Sequence, residues 1–114
     1  MQNPIKISDV INKNSAVLHS DGLKLFSIIV EQYSSGKKLN ISFSGLTHCT
    51  SAFLNASIGK FILMSDDKQG IIANLVYLDF SDDIRKKIDQ VVEISTNEKK
   101  RIRHDELVGE AFAG

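Results

Sequence analysis

Cysteine and proline each occur once in this chain of 114 residues, and tryptophan is absent. The single cysteine, Cys49, excludes an intramolecular disulfide framework, which favours a reducing compartment and predicts a cytoplasmic location. The single proline, Pro4, and the lack of Gly/Ser-rich stretches indicate one compact unit without a flexible linker. The length of the chain also matches a single domain.

Charge of one sign and long apolar runs are missing too. The 14 basic side chains balance the 14 acidic ones, so the formal net charge is zero. Because affinity for nucleic acid depends on clustered Lys and Arg, this balance disfavours nucleic acid as a partner. No apolar stretch approaches the roughly 18 residues of a membrane span, and residues 1–11 lack the layout of a signal peptide. We therefore expect neither secretion nor a membrane partner.

What is present is an alternation of strand and helix patterns. Period-two alternation or short apolar runs predict four strands, at residues 5–7, 16–18, 39–44 and 71–78. Apolar residues at helical spacing predict three helices, at residues 23–33, at residues 51–64 and from Ser81 onwards. Ser20 or Asp21 is placed to cap the first of these helices, and Asp82 and Asp83 follow Ser81 in the first turn of the last.

These patterns predict an α/β fold, with a mixed sheet of about four strands. In residues 39–44 the large side chains alternate with Asn40, Ser42 and Ser44, which indicates that one face of this strand is uncovered and that helices pack mainly on one side of the sheet. The apolar run at residues 71–78 is typical of a more central strand, and the polar residues 66–70 before it indicate a loop.

Beyond Thr96 the chain becomes strongly polar, with seven charged residues among the ten from Asn97 to Glu106. We therefore place the domain at residues 1–96 and interpret residues 97–114 as an exposed helix extension or a polar tail. The basic cluster at residues 99–103 is interpreted as solvated, because acidic residues flank it. Contact with nucleic acid or with a docking protein remains an alternative for it.

One segment, residues 41–59, contains a recognisable pattern. It consists of a strand ending in Phe43-Ser44-Gly45-Leu46, a short loop, a helix that starts with Ser51-Ala52-Phe53-Leu54-Asn55, and Gly59 within that helix. Together with the preceding Asp21-Gly22 turn and helix, this order resembles the STAS-like family of small, mostly uncharacterised bacterial proteins. That family is related to the STAS domains of anti-sigma factor antagonists. The resemblance covers about residues 5–92 and implies a single STAS-like domain that acts as a non-enzymatic protein-interaction module.

The resemblance also implies a site. In anti-sigma antagonists the matching loop carries an Asp-Ser pair whose serine is phosphorylated by a partner kinase, and by position this pair corresponds to Thr50 and Ser51. Ser51 is therefore the candidate for phosphorylation, and a surface formed by Thr47, Thr50, Ser51 and Asn55 is the candidate for binding a kinase-like ATPase or an anti-sigma-type protein. Thr50 replaces the aspartate, and Ala56 replaces the acidic residue that STAS-like relatives tend to carry. The structural alternative is that Ser51 is simply an N-cap.

Two other classes of function stay open. His48 and Cys49 suggest a small enzyme with a cysteine nucleophile, although adjacent residues on an extended segment point to opposite sides and a buried cysteine is the simpler interpretation. A structural homo-oligomer is the other alternative, joined through the uncovered sheet face or through an edge strand. In that case replacement of Ser42 and Ser44 by lysine should dissociate it. The scattered glycines and the distant histidines predict no cofactor and no metal site.

Overall fold

The computed structural model describes residues 3–96, so the prediction for residues 97–114 lies outside the described residues. The strands are β1 (Ile5–Lys6), β2 (Ser15–Ala16), β3 (Leu39–Ser42), β4 (His48–Cys49) and β5 (Leu75–Leu78). The helices are α1 (Ile7–Ile11), α2 (His19–Gln32), α3 (Ser51–Leu54), α4 (Lys60–Leu63), α5 (Lys68–Asn74) and α6 (Asp82–Thr96). A π-helical segment, Asn55–Gly59, joins α3 to α4. We call residues 51–63 together the central helix.

The strands form two separate parallel sheets. In the larger sheet β3 lies in the middle, pairs with β1 on one side and with β5 on the other, and runs parallel to both. The smaller sheet consists of β2 and β4. The α/β class is therefore confirmed, whereas the prediction of one mixed sheet of about four strands is wrong, since the described part of the chain forms five strands in two sheets.

The prediction of a central strand over residues 71–78 is half wrong. Residues 71–74 belong to α5, and β5, which contains only Leu75–Leu78, pairs within the described chain with β3 alone and so lies at an edge of its sheet. β3 offers four residues for pairing, so the apolar residues before Leu75 have no strand beside them. They form a helix instead, which the side chain of Asp67 caps by accepting a hydrogen bond from Gly70 N at 3.0 Å.

The first strands are shorter than their patterns indicate. Ile7, predicted as strand, begins α1, a helix that ends at Asn12 in the left-handed conformation. β2 contains Ser15 and Ala16, while Val17 and Leu18 follow it without joining the sheet. Both predictions placed strands in the right regions, but two-residue strands are too short for their ends to be read from alternation.

The two faces of the larger sheet differ in burial. Ile5, Leu39, Ile41 and Leu75 share one face by register and are buried in the core. On the opposite face Lys6 is exposed and Val76 and Leu78 are half-buried. Ser42 on that face is only 6% exposed, and its Oγ donates a hydrogen bond to Asp79 Oδ2 at 2.9 Å. The expected uncovered face is therefore not confirmed, because this serine is enclosed.

Close approach at two glycines sets the position of the central helix. A Cβ on Gly22 of α2 would lie 2.6 Å from Ala56 Cβ, and a Cβ on Gly59 would lie 3.0 Å from Val91 Cγ1 of α6. Both neighbouring helices thus pack directly against the central helix. The apolar residues predicted for α6 face this core: Ile84, Ile88 and Val91 are buried and Val92 is packed against them.

The capping predictions have mixed outcomes. At α6 the prediction is confirmed, since Ser81 Oγ accepts a hydrogen bond from Ile84 N at 3.2 Å. At α2 it is wrong: the helix begins at His19, Leu18 occupies the N-cap position without a side-chain hydrogen bond, and Asp21 lies inside the first turn. None of the helices in residues 3–96 is long and apolar enough to cross a membrane.

Candidate partner-binding surface

The loop that leads into the central helix is tied to the segment around β2. Thr47 N donates to Asn14 O at 2.8 Å, and Thr50 N donates to Ala16 O at 3.0 Å. β4 pairs with β2 between these two bonds. This loop, predicted from the sequence as a simple connection, is therefore a short strand with a defined course, which gives the start of the central helix a fixed position.

Thr50, and not Ser51, is the N-cap of the central helix. Its Oγ1 accepts a hydrogen bond from Phe53 N at 3.2 Å and donates one to Val17 O at 3.1 Å. The prediction that Ser51 fills this role is wrong, because the residue with extended backbone angles that precedes the helix is Thr50. The threonine that stands in place of the aspartate thus has a structural role.

Ser51 is the first residue of the helix and is half-buried. Its hydroxyl forms no hydrogen bond with any other residue in the part of the chain that the structure describes. The first N–H groups of a helix lack intrahelical acceptors and carry partial positive charge. A phosphate on Ser51 would therefore meet a favourable local field, and no existing hydrogen bond would be lost when it is added.

Three of the four predicted contact residues lie in two different grooves, and Ser51 lines neither of them. Thr47 and Thr50 line a groove of about 390 Å³ beside the loop, which we call the strand-end groove. Asn55 lies in a second groove of about 390 Å³ between α2 and the central helix, which we call the interhelix groove. Thr47 is exposed, and its Oγ1 donates to Asn14 O at 3.3 Å. The residues therefore surround the helix start and do not form one continuous patch.

The strand-end groove lies where β3 and β5 end. The carboxyl ends of parallel strands are the usual place for ligand sites in open α/β sheets. Asp79, which follows β5 with a positive φ of 58°, lines this groove together with Asp83 and Lys87. Lys87 Nζ pairs with Asp83 Oδ2 at 3.0 Å and donates to Cys49 O at 3.0 Å. The sequence predicts a structural role for Asp83 in the first turn of α6 and no role for Asp79 or Lys87, because only the fold brings the end of β5 and the start of α6 next to β4.

His48 and Cys49 do not form a nucleophile and base. The Cys49 side chain is buried, at 4% exposure, and burial raises the pKa of its thiol to about 11. His48 is exposed, and its Nδ1 lies 3.2 Å from Thr47 Oγ1. A thiol with so high a pKa contains little thiolate at neutral pH. The buried-cysteine interpretation is confirmed, and this pair offers no support for the enzyme alternative.

The interhelix groove is lined by residues from the first half of α2 and from the length of the central helix: His19, Leu23, Ala52, Asn55, Ala56, Lys60 and Leu63. Apart from Asn55, sequence reasoning did not assign these residues to a site. The sequence predicts Leu23 as part of the apolar stripe of its helix and Ala52 and Ala56 as small positions in the central helix, and it indicates no site role for His19, Lys60 or Leu63. Within residues 3–96, no cluster of three or more His, Cys, Asp or Glu residues is arranged to hold a metal ion.

One comparison with known proteins found a match. The model of a family described as "STAS-like domain of unknown function (DUF4325)" matches residues 21–85, which is more than half of the chain. The matched residues include α2 from Asp21 onwards, β3, the central helix and β5, and thus most of both helices that form the interhelix groove. Neither the curated proteins nor the solved structures yielded a match.

Proposed function

Because this chain belongs to the family of STAS-like domains of unknown function, we propose that it is a non-enzymatic regulatory module that binds another protein. By analogy with the related antagonists, the partner is a kinase-like ATPase or an anti-sigma-type protein of the bacterial cytoplasm. The same fold can carry many unrelated functions, and function resides in particular side chains. The proposal therefore depends on a particular side chain at the start of the central helix.

The observation that carries the proposal is the state of the Ser51 hydroxyl. The neighbouring threonine caps the helix, so Ser51 is not needed for that purpose. Its oxygen has no hydrogen-bonding partner among residues 3–96, and its residue is not sealed in the core. Phosphorylation would add a charge of about −1.5 to −2 at this position without breaking an internal contact. Such a change acts on the partner that docks there more than on the fold of the domain.

The first experiment asks whether the modification occurs. The chain is purified from the cells that naturally produce it, and its intact mass is measured before and after phosphatase treatment. We expect a phosphorylated form that disappears when Ser51 is replaced by alanine. Loss of the modification in a Ser34→Ala control, which alters an exposed serine after α2, would instead assign the modification to another site.

The second experiment asks whether the charge controls binding. Wild-type, Ser51→Asp and Ser34→Asp proteins are used to capture partners, and the affinity of each captured protein is then measured with purified components. We expect a partner that binds wild type and the Ser34→Asp control equally, and binds Ser51→Asp at least about tenfold more weakly, which corresponds to about 1.4 kcal/mol. Equal affinities of all three forms for every captured protein would exclude a switch at Ser51.

A further inference from the structure

The interhelix groove has the shape of a site for a helix. Gly22 of α2 packs onto Ala56, and Lys60 Nζ lies 4.7 Å from the centre of the Phe26 ring. Gly22 and Phe26 are four residues apart in α2, and their contacts Ala56 and Lys60 are four residues apart in the central helix. Because the contacts follow in the same order along both chains, the two helices run side by side in the same direction. On the α2 side the groove is lined by His19 and Leu23, and on the other side the lining residues of the central helix extend from Ala52 to Leu63. At 1.5 Å per residue this distance is about 16 Å, or three turns of a docked helix.

The walls of this groove are mainly apolar and accessible. Ala52 is exposed, Leu23 is half-buried and Leu63 is 39% exposed. Met64, the next residue after Leu63, is 67% exposed. At the other end, Leu18 precedes α2 and is 52% exposed. Scattered single apolar residues on a surface are ordinary, but Leu23 of α2 and Ala52 and Leu63 of the central helix line one groove together, and this gives an apolar partner side chains to pack against.

Lys60 contributes a cationic side chain to the groove, and none of the described residues that line it is acidic. Because α2 and the central helix run in the same direction, both begin at the same end of the groove, and their N-termini place partial positive charge there. The complementary partner surface is therefore apolar along one stripe and acidic beside it.

From this shape, lining and charge we infer that the interhelix groove binds an acidic amphipathic helix of the partner protein. Its apolar side chains, spaced three or four residues apart, lie between α2 and the central helix, and its Asp or Glu residues lie near Lys60 and the two helix N-termini. This inference rests on the proposed function, since the helix belongs to the regulatory partner. Ser51 directly precedes the lining residue Ala52, so a phosphate on Ser51 repels this acidic helix at the end of the groove.

The experiment uses a defined probe, a fluorescent synthetic helical peptide of about three turns, with leucine at every third or fourth position and glutamate elsewhere. A matched peptide carries lysine in place of each glutamate. Affinities are measured by fluorescence anisotropy, and the contact residues are mapped from amide chemical shifts. We expect the glutamate peptide to bind at least about tenfold more tightly than the lysine peptide, and to shift the amides of Leu23, Ala52, Ala56 and Lys60.

Variants test whether the groove itself is responsible. Ala52→Glu places a carboxylate in the groove and should weaken binding of the glutamate peptide at least about tenfold. The control is Ala73→Glu, which changes an exposed alanine of α5 outside the groove and should leave binding of the peptide unchanged. Lys60→Glu should reverse the preference in favour of the lysine peptide. Equal binding of the two peptides, or shifts confined to other surfaces, would overturn the inference.

Two further outcomes separate this inference from the proposed function. If a captured partner no longer binds the Ser51→Asp protein but still binds the Ala52→Glu protein, the groove is refuted as the docking site. The proposed switch at Ser51 then remains intact. A wild-type dimer in sedimentation analysis that Ala52→Glu dissociates would show that a second copy of the chain occupies the groove, which would also refute an acidic partner helix.

Discussion

Two neighbouring hydroxyl groups at the start of the central helix have different environments. Thr50 Oγ1 makes two hydrogen bonds to the backbone, one to the first turn of the helix and one to the segment after β2. Ser51 makes none with the other described residues. A residue with a satisfied hydroxyl supports the fold, while an exposed or half-buried free hydroxyl is available for modification.

This difference has a consequence for stability. Thr50→Ala removes the cap and should lower the free energy of unfolding by about 0.5 to 2 kcal/mol, while Ser51→Ala should change it by less than about 0.5 kcal/mol. Urea unfolding followed by circular dichroism measures both values. If Ser51→Ala lowers the free energy of unfolding as much as Thr50→Ala does, then Ser51 caps the helix. Its hydroxyl would then not be available for the proposed switch.

Asp21 is a buried carboxylate with two cationic neighbours. Lys13 Nζ lies 2.7 Å from Asp21 Oδ2, and Lys24 Nζ lies 3.4 Å from Asp21 Oδ1. The hydrogen bond from Lys13 is the main cause that holds the pKa of Asp21 below its ordinary value of 3.8, against the opposing effect of burial. Because the pKa of Asp21 is lower in the folded protein than in the unfolded chain, the ionised carboxylate stabilises the folded state. This stabilisation is fully present above pH 3.8 and is lost as the pH falls below that value.

Replacement of Asp21 should therefore change both the stability and its pH dependence. Asp21→Asn should lower the free energy of unfolding at neutral pH by about 1 to 3 kcal/mol, and should lose less additional stability than wild type when the pH is lowered to about 3. Urea unfolding at the two pH values measures this. The exposed Asp66→Asn serves as control and should follow wild type. An Asp21→Asn protein with the full wild-type acid sensitivity would contradict the assignment.

At the scale of the element, the central helix depends on a glycine in the helix beside it. A Cβ on Gly22 would lie 2.6 Å from Ala56 Cβ and 2.8 Å from Phe53 O, and a backbone oxygen does not move aside easily. In an open helix, glycine to alanine would add up to about 1 kcal/mol of stability. Here the crowding outweighs that gain, because α2 has to move away from the central helix.

Gly22→Ala should therefore destabilise the protein by about 1 to 3 kcal/mol, and it should also weaken binding of the glutamate peptide, since the groove between the two helices widens. Thermal unfolding and anisotropy measure the two effects. Ser27→Ala, on an exposed position of the same helix, should change stability by less than about 0.5 kcal/mol. Unchanged or increased stability of Gly22→Ala would show that the helices are not in close contact.

The elements also differ in how well their sequences predict them. The long helices α2 and α6 show apolar stripes over many residues, and their regions were predicted correctly because each turn repeats the signal. The run at residues 71–78 carries no such repetition, and a short apolar run fits a helix or a strand equally well. Its division between α5 and β5 is decided by β3, which offers pairing partners only from Leu75 onwards.

At the scale of the whole molecule, Ser42 links the sheet to the chain after β5. Its Oγ donates to Asp79 Oδ2 and accepts a hydrogen bond from Ser44 N at 3.2 Å. The sequence-based hypothesis of an oligomer places Ser42 and Ser44 on an open sheet face and expects their replacement by lysine to separate the subunits. Because this serine is 6% exposed, a lysine there would disturb the interior of the chain itself.

Ser42→Lys should consequently lower the free energy of unfolding by about 2 to 4 kcal/mol without altering the molar mass of the folded protein. Ser44→Lys, at a half-buried position nearby, should lower the free energy of unfolding by less than Ser42→Lys does. Unfolding curves and multi-angle light scattering measure the two properties. A stable Ser42→Lys protein of reduced molar mass would instead support an interface on this face of the sheet.

Local regularities in the sequence were sufficient for the α/β class, the regions of the long helices, the Ser81 cap and the resemblance to the STAS-like family, since each of these depends on residues close together in the chain. The tertiary structure alone decided which hydroxyl caps the central helix, that Ser42 is enclosed, and that α2 and the central helix form a groove. These features depend on contacts between residues far apart in the chain, such as Thr50 with Val17 and Gly22 with Ala56. Periodicity contains no information on such contacts, because packing and not spacing brings those residues together.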